Sequence, residues 1–206
     1  MWSPVVYFAG SDVFVGVSNI MPVSARFIAF IAVLILSHAP VSGQKGWNVF
    51  SAPGQNFEVL VPGTMRDGQK KVLTDIGAIY PVTWMCEGKP DEPNFLFLLS
   101  YIDYPESTFS PDSISMIREM FDTSIRTHID DLKGDLVYSS ASDHGELPGA
   151  IFRATYDQRK FVVKGRLILD GDRLYFLQVY TTTSKSLNAD MDRFLDSFRL
   201  RPPKDK

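Results

Sequence analysis

Cysteine occurs once in 206 residues, at Cys86, so no intramolecular disulfide can form and no four-ligand Cys/His zinc pattern exists. No apolar run approaches the ~20 residues that a bilayer-spanning helix requires. Charge of one sign is also missing. The 21 Lys and Arg against 24 Asp and Glu leave a net charge of −3. Without a clustered basic surface, nucleic acid and anionic membranes are both excluded as partners. The chain contains no G-x-S-x-G elbow, no G-x-G-x-x-G and no P-loop Lys; Gly63, Gly68 and Gly77 stand alone. Internal repeats and low-complexity tracts are absent, and aromatic content is ample for a packed core.

What is present begins with an address. The uncharged run Phe27–Leu36 follows Arg26 and leads into Val41-Ser42-Gly43. A positive flank, a short apolar core and small residues before a cleavable bond make a secretory signal peptide over residues 21–43, cut before Gln44. Residues 1–20 hold Asp12 and no Lys or Arg, so Met21 is read as the initiator and residues 1–20 as an upstream extension. No Cys follows the run, which removes a lipid anchor. Export without disulfides fits a bacterial periplasm or envelope, with no stable membrane insertion after cleavage. Residues 44–202 are of a size for one domain, with 203–206 as a charged tail.

The alternation Phe57, Val59, Val61 before Pro62-Gly63 predicts a half-buried strand and a turn. Residues 71–84 read as two extended pieces around Gly77, and residues 89–93 as a loop with two prolines. Residues 95–102 are nearly continuously apolar and predict a central strand covered on both faces. A long helix is expected over 110–133, capped by Ser110 with Pro111 in its first turn. Its stripe would be Ile114, Ile117, Phe121, Ile125, Ile129 and Leu132, with Gly134 as the stop. Ala150–Tyr156, Phe161–Leu169 and Arg173–Tyr180 predict strands, the last two joined by a tight turn at Asp170-Gly171-Asp172. A short helix from about Asn188 to Phe198 closes the domain. Two helices and six to seven strands in this order predict α+β: a three-layer α/β/α sandwich with a central, mainly antiparallel sheet.

The segments Trp47-x-x-Phe50-x-x-Pro53, Phe57-x-Val59-x-Val61-Pro62-Gly63, Gly165-Arg166, Arg173-Leu174-Tyr175-Phe176-Leu177 and Arg193-Phe194-Leu195-x-Ser197-Phe198 span nearly the whole mature chain. In that order they resemble small exported bacterial proteins grouped with the photosystem II extrinsic protein PsbP. The resemblance implies the same α/β/α sandwich, used as a non-enzymatic binding or assembly scaffold. No segment matches the functional parts of PsbP, so neither a photosynthetic role nor that family's metal ligands carry over.

Asp143-His144-Gly145-Glu146 is the sharpest chemical cluster. Asp143, His144 and Glu146 are the candidate ligands for a divalent metal, with His128, Asp130 and Asp131 as additions if the fold brings them near. A solvated loop before Leu147-Pro148-Gly149 explains the same residues. Cys86 with His128 or His144 would make a thiol nucleophile and base, against the plainer reading of Cys86 as a buried small hydrophobe. Lys164 and Arg166 share a strand face, with Arg159 and Lys160 nearby, as an anion-binding strip or simply a solvent face. Tyr101, Tyr104, Tyr156, Tyr175 and Tyr180 line a cleft or fill the core.

The expected function is an exported, non-enzymatic binding or assembly module without cofactor, taking an unknown protein or small ligand. The alternative is a small envelope hydrolase or metal-binding protein built on Asp143, His144 and Glu146. A third reading docks the domain on a larger partner through one sheet edge or helix face.

Overall fold

The computed structural model describes residues 46–202 apart from 70, 71, 75, 76, 80 and 111. The proposed signal peptide, the upstream extension, the charged tail and the Pro111 position lie outside the described residues.

Three ten-residue strands form the centre: β7 (Asn94–Asp103), β10 (Phe161–Asp170) and β11 (Arg173–Thr182). Four more extend them: β3 (Arg66–Gln69), β6 (Val82–Glu87), β8 (Asp135–Ala141) and β9 (Gly149–Tyr156). Their order is β3-β6-β7-β11-β10-β9-β8, antiparallel throughout. β10 and β11 pair from Phe161↔Thr182 to Asp170↔Arg173, so Gly171 sits in the connecting turn, at φ +58°. A small sheet joins β1 (Asn48–Phe50), β2 (Phe57–Val61) and β12 (Arg199–Leu200). β4 (Val72–Thr74) and β5 (Gly77–Ile79) form a separate hairpin.

α1 (Ile114–Asp131) and α2 (Ala189–Asp196) pack on opposite faces of the seven-stranded sheet. The expected α+β, helix–sheet–helix architecture is the one observed. Strand alternation sorts the side chains: Phe97, Leu99, Tyr175, Leu177 and Val179 face α2, while Leu96, Leu98, Phe176 and Tyr180 face α1. Val162, Val163, Leu167, Ile168 and Leu169 bury both sides of β10. Gly165 stands opposite Phe152, and a Cβ there would meet the Phe152 ring at 2.2 Å. The glycine lets that ring lie across the neighbouring strand.

On the α2 face, Phe57 stacks with Phe198 at 5.9 Å and meets Tyr175 edge-on at 5.8 Å, while Phe97 meets Phe194 at 5.3 Å. All five rings are fully buried or nearly so, which gives Phe57, Val59, Phe194 and Phe198 the structural role their motifs implied.

Four local expectations need correction. α1 begins at Ile114 behind Ser113, while Ser110 only accepts, through its carbonyl, a turn bond from the Ser113 N–H at 2.8 Å. Ile114 is 57% exposed and falls off the stripe, which is Ile117, Phe121, Ile125 and Ile129. At the other end the left-handed residue is Lys133, φ +51°, not Gly134. The Gly134 N–H bonds the Ile129 carbonyl and the Lys133 N–H the Asp130 carbonyl, the paired bonds of a Schellman stop. Gly134 is required one residue later, because a Cβ would lie 2.7 Å from the Thr155 carbonyl oxygen. Finally, Gly77 opens β5 instead of separating two strands, and β8 was not anticipated at all.

Candidate functional site

β8 is the outer strand beside α1, and every one of its residues is exposed. Its register with β9 shifts between Leu136 and Tyr138, so Leu136, Ser139 and Ala141 align with Ala154, Phe152 and Ala150 on the α1 side. Two of those three side chains are too short to reach the helix. The gap forms two hollows sharing Arg118, Phe121 and Ala141. One, of about 170 Å³, is also lined by Ile114, Asp143 and Glu146; the other, of about 120 Å³, by Asp122, Ile125 and Ser139. Together they make a shallow groove along the helix. None of Arg118, Asp122, Asp143 or Glu146 has an ion-pair partner among the described residues.

The turn after β8 separates the proposed metal ligands. The His144 N–H donates to the Leu147 carbonyl at 2.9 Å, Leu147 returns the bond at 3.2 Å, and Gly145 takes φ +64° between them. Successive residues of an extended chain point to opposite sides. Asp143 and Glu146 line the groove, whereas the His144 imidazole packs on Phe198 in the α2-side core. His144 Nε2 lies 2.6 Å from the Phe198 carbonyl. A carbonyl only accepts, so Nε2 carries the proton and is closed to a metal. His128, Asp130 and Asp131 lie at the far end of α1, ~15 Å along the helix from Arg118 at 1.5 Å per residue. Among the described residues no group of three His, Cys, Asp or Glu side chains converges.

Cys86 and His128 lie on opposite sides of the sheet, in the α2-face and α1-face cores respectively. Cys86 is 2% exposed, and burial, then the Glu92 carboxylate, push its thiol pKa up. It is packed as a small hydrophobe. The His128 ring sits edge-on to Phe176 at 5.2 Å, and its Nε2 lies 3.3 Å from the Tyr180 hydroxyl, which donates to Gln178 Oε1 at 2.5 Å.

Lys164 and Arg166 do share a face, but both are taken by α2. Lys164 pairs with Asp192, and Arg166 with Asp196 at 2.8 Å. Two residues along a strand cover ~6.7 Å and four along a helix ~6.0 Å, so the two pairs lock in parallel. Lys160 pairs with Asp157 and Arg159 with Asp135, each at 3.5 Å. The tyrosines share no cleft: Tyr101 and Tyr175 belong to the α2-side core, and Tyr104, Tyr156 and Tyr180 to the α1-side core.

The groove residues Arg118, Asp122, Ser139 and Ala141 belong to no motif. Their only trace in the sequence is the small-residue run Ser139-Ser140-Ala141 following Leu136-Val137-Tyr138.

No protein-family model matches this chain, and no curated protein matches it. Among solved structures, cyanobacterial PsbP (CyanoP) from Synechocystis sp. PCC 6803 is similar at 13% identity. The match covers 80% of this chain and 98% of that one, with a TM-score of 0.49.

Proposed function

We propose that this chain is an exported, non-enzymatic binding or assembly module that meets its partner along the groove between α1 and β8. The observation that carries the reading is the groove with exposed apolar side chains on and around it. Ile114, 57% exposed, lines it, and Leu136, 45%, faces the same side of the sheet; Met116, Val137 and Tyr138, 42%, 55% and 38% exposed, stand elsewhere on the same two elements. Scattered single apolar residues are ordinary, but several on one helix and the adjoining edge strand mark an interaction surface. The hollows are small beside the roughly 300–1,000 Å³ that engulfs a small-molecule ligand, which favours a macromolecular partner. Export rests on the apolar run 27–36 after Arg26, and among the described residues no helix is long and apolar enough to cross a membrane. The metal-dependent alternative is less favoured because Asp143 and Glu146 line the groove while the His144 ring packs on Phe198 on the other side of the sheet.

A photo-crosslinking residue at Ser139, in the full chain expressed in a bacterial host with a natural envelope, tests the proposal. A discrete adduct from Ser139 that is absent from Asp67, on the opposite sheet edge, is expected. Identical adducts from both positions, or none from Ser139, would overturn it.

A further inference from the structure

The two edges of the seven-stranded sheet are guarded differently. β3 is four residues long, carries Arg66 and Asp67 exposed, and contains Gly68, all features that discourage another strand from adding. β8 is seven residues long, has no Lys and no Pro, and carries its one charged residue, Asp135, at its start. Its single irregularity lies between Leu136 and Tyr138, leaving Tyr138 to Ala141 in regular register.

The Ser142 N–H donates to the Gly149 carbonyl at 2.9 Å, which fixes the phase of the β8–β9 ladder. In an antiparallel pair the bonding residues alternate, so Ser140 also turns toward β9 while Ser139 and Ala141 direct their N–H and C=O groups outward. Those same two residues are the short ones facing the groove. Backbone edge and groove therefore form one continuous surface. Among the described residues that line it, three carboxylates without ion-pair partners, Asp122, Asp143 and Glu146, stand against one cation, Arg118.

We infer that β8 accepts an extended segment of a partner protein as an eighth strand, one with Lys or Arg at alternate positions facing the α1 groove. The inference rests on the proposed docking face and names its occupant. Backbone bonds to Ser139 and Ala141 hold the segment, and its cations meet Asp143, Glu146 and Asp122, leaving apolar residues for the other face beside Tyr138. Charge argues against a second copy of this chain as the occupant. Its own β8 offers Asp135 and no cation.

The test uses protein purified after expression of the full chain and a short probe peptide alternating Lys and Val. Its controls are the Glu–Val analogue and the Lys–Val peptide N-methylated at alternate residues. The Lys–Val probe is expected to slow hydrogen exchange at the Ser139 and Ala141 amides, and both controls are expected to fail. Asp143→Asn with Glu146→Gln should weaken binding about tenfold, as loss of charge complementarity does. Ser139→Pro removes an outward N–H without breaking the β9 ladder and should abolish protection at Ala141. Strand addition is overturned if saturating Lys–Val probe leaves these amides unprotected, if either control binds equally, or if the protein self-associates through them without probe. Where Ser139 still crosslinks a partner but the probe gives no protection, the docking face stands and only the strand mode falls. Where Ser139 crosslinks nothing, the docking face itself falls.

Discussion

The two faces of the sheet are closed by different means. On the α2 side an eight-residue helix is fastened at several points. Asn188 caps it by accepting from the Met191 N–H at 3.3 Å and exchanges amide bonds with buried Asn94 of β7 at 2.9 and 3.0 Å. Two ion pairs tie its outer side to β10, and Arg193 lies 4.7 Å from the Trp47 ring centre. The small β1-β2-β12 sheet covers the rest of the core. On the α1 side an 18-residue helix with no side-chain cap is held by its apolar stripe and the His128 contacts. It leaves β8 bare. A short helix is firmly fixed by specific bonds, while a long helix held mainly by its apolar stripe leaves room beside it. The room is where the binding reading places the partner.

Changes to the core should separate the faces most widely. Phe194→Ala empties a fully buried ring from the aromatic cluster and should cost about 3–5 kcal/mol in urea unfolding. Ile125→Ala, 1% exposed beneath α1, should cost about 2–5 kcal/mol and speed amide exchange in α1 before α2. Equal acceleration in both helices would erase the distinction between the faces. Asn188→Ala removes a cap and strips buried Asn94 of its partner, a loss of about 1–3 kcal/mol by thermal or urea melts.

Alkaline pH probes the α1 side through partly buried Tyr156 and buried Tyr180. Burial, then the Asp157 carboxylate, push the Tyr156 pKa up to about 12 from the usual 10.0, and burial also raises Tyr180. A raised folded pKa favours the neutral phenol in the folded state. Its contribution is therefore complete below pH 10 and is lost as pH climbs through about 12. Urea midpoints should fall over that window, and Tyr156→Phe should flatten the decline. A midpoint indifferent to pH there would mean that the phenol is not buried as described.

The smallest effect has the opposite sign. The β9–β10 turn places Asp157, Gln158 and Arg159 at φ 48°, 54° and 65°, a left-handed run without glycine. Gln158→Gly should stabilise the domain by about 1 kcal/mol, read as a rise in melting temperature.

Most of the architecture was legible because burial leaves a periodic trace. The 57–61 alternation, the apolar block at 95–102 and the three- and four-residue spacing from Ile117 to Ile129 each reported the face that turns inward. β8 left no such trace. A strand exposed at all seven positions has no inward face to impose alternation, and it forms because β9 offers it a ladder. The helix ends misled for a related reason. Ser110 and Gly134 have the right chemistry for caps, but the Ser113 turn and the Thr155 carbonyl beside Gly134 decide where the helix begins and which residue turns left-handed.

Sequence alone determined the α+β class, the apolar cores, the lone buried thiol and the absence of any established catalytic motif, since these depend on residue type and local spacing. Tertiary structure decided which charged residues are occupied. Lys164 and Arg166 are spent on α2, and His144 is turned to Phe198. Asp143 and Glu146 remain along a groove, because neighbours in an extended chain face opposite ways and only the packing says what lies on each side.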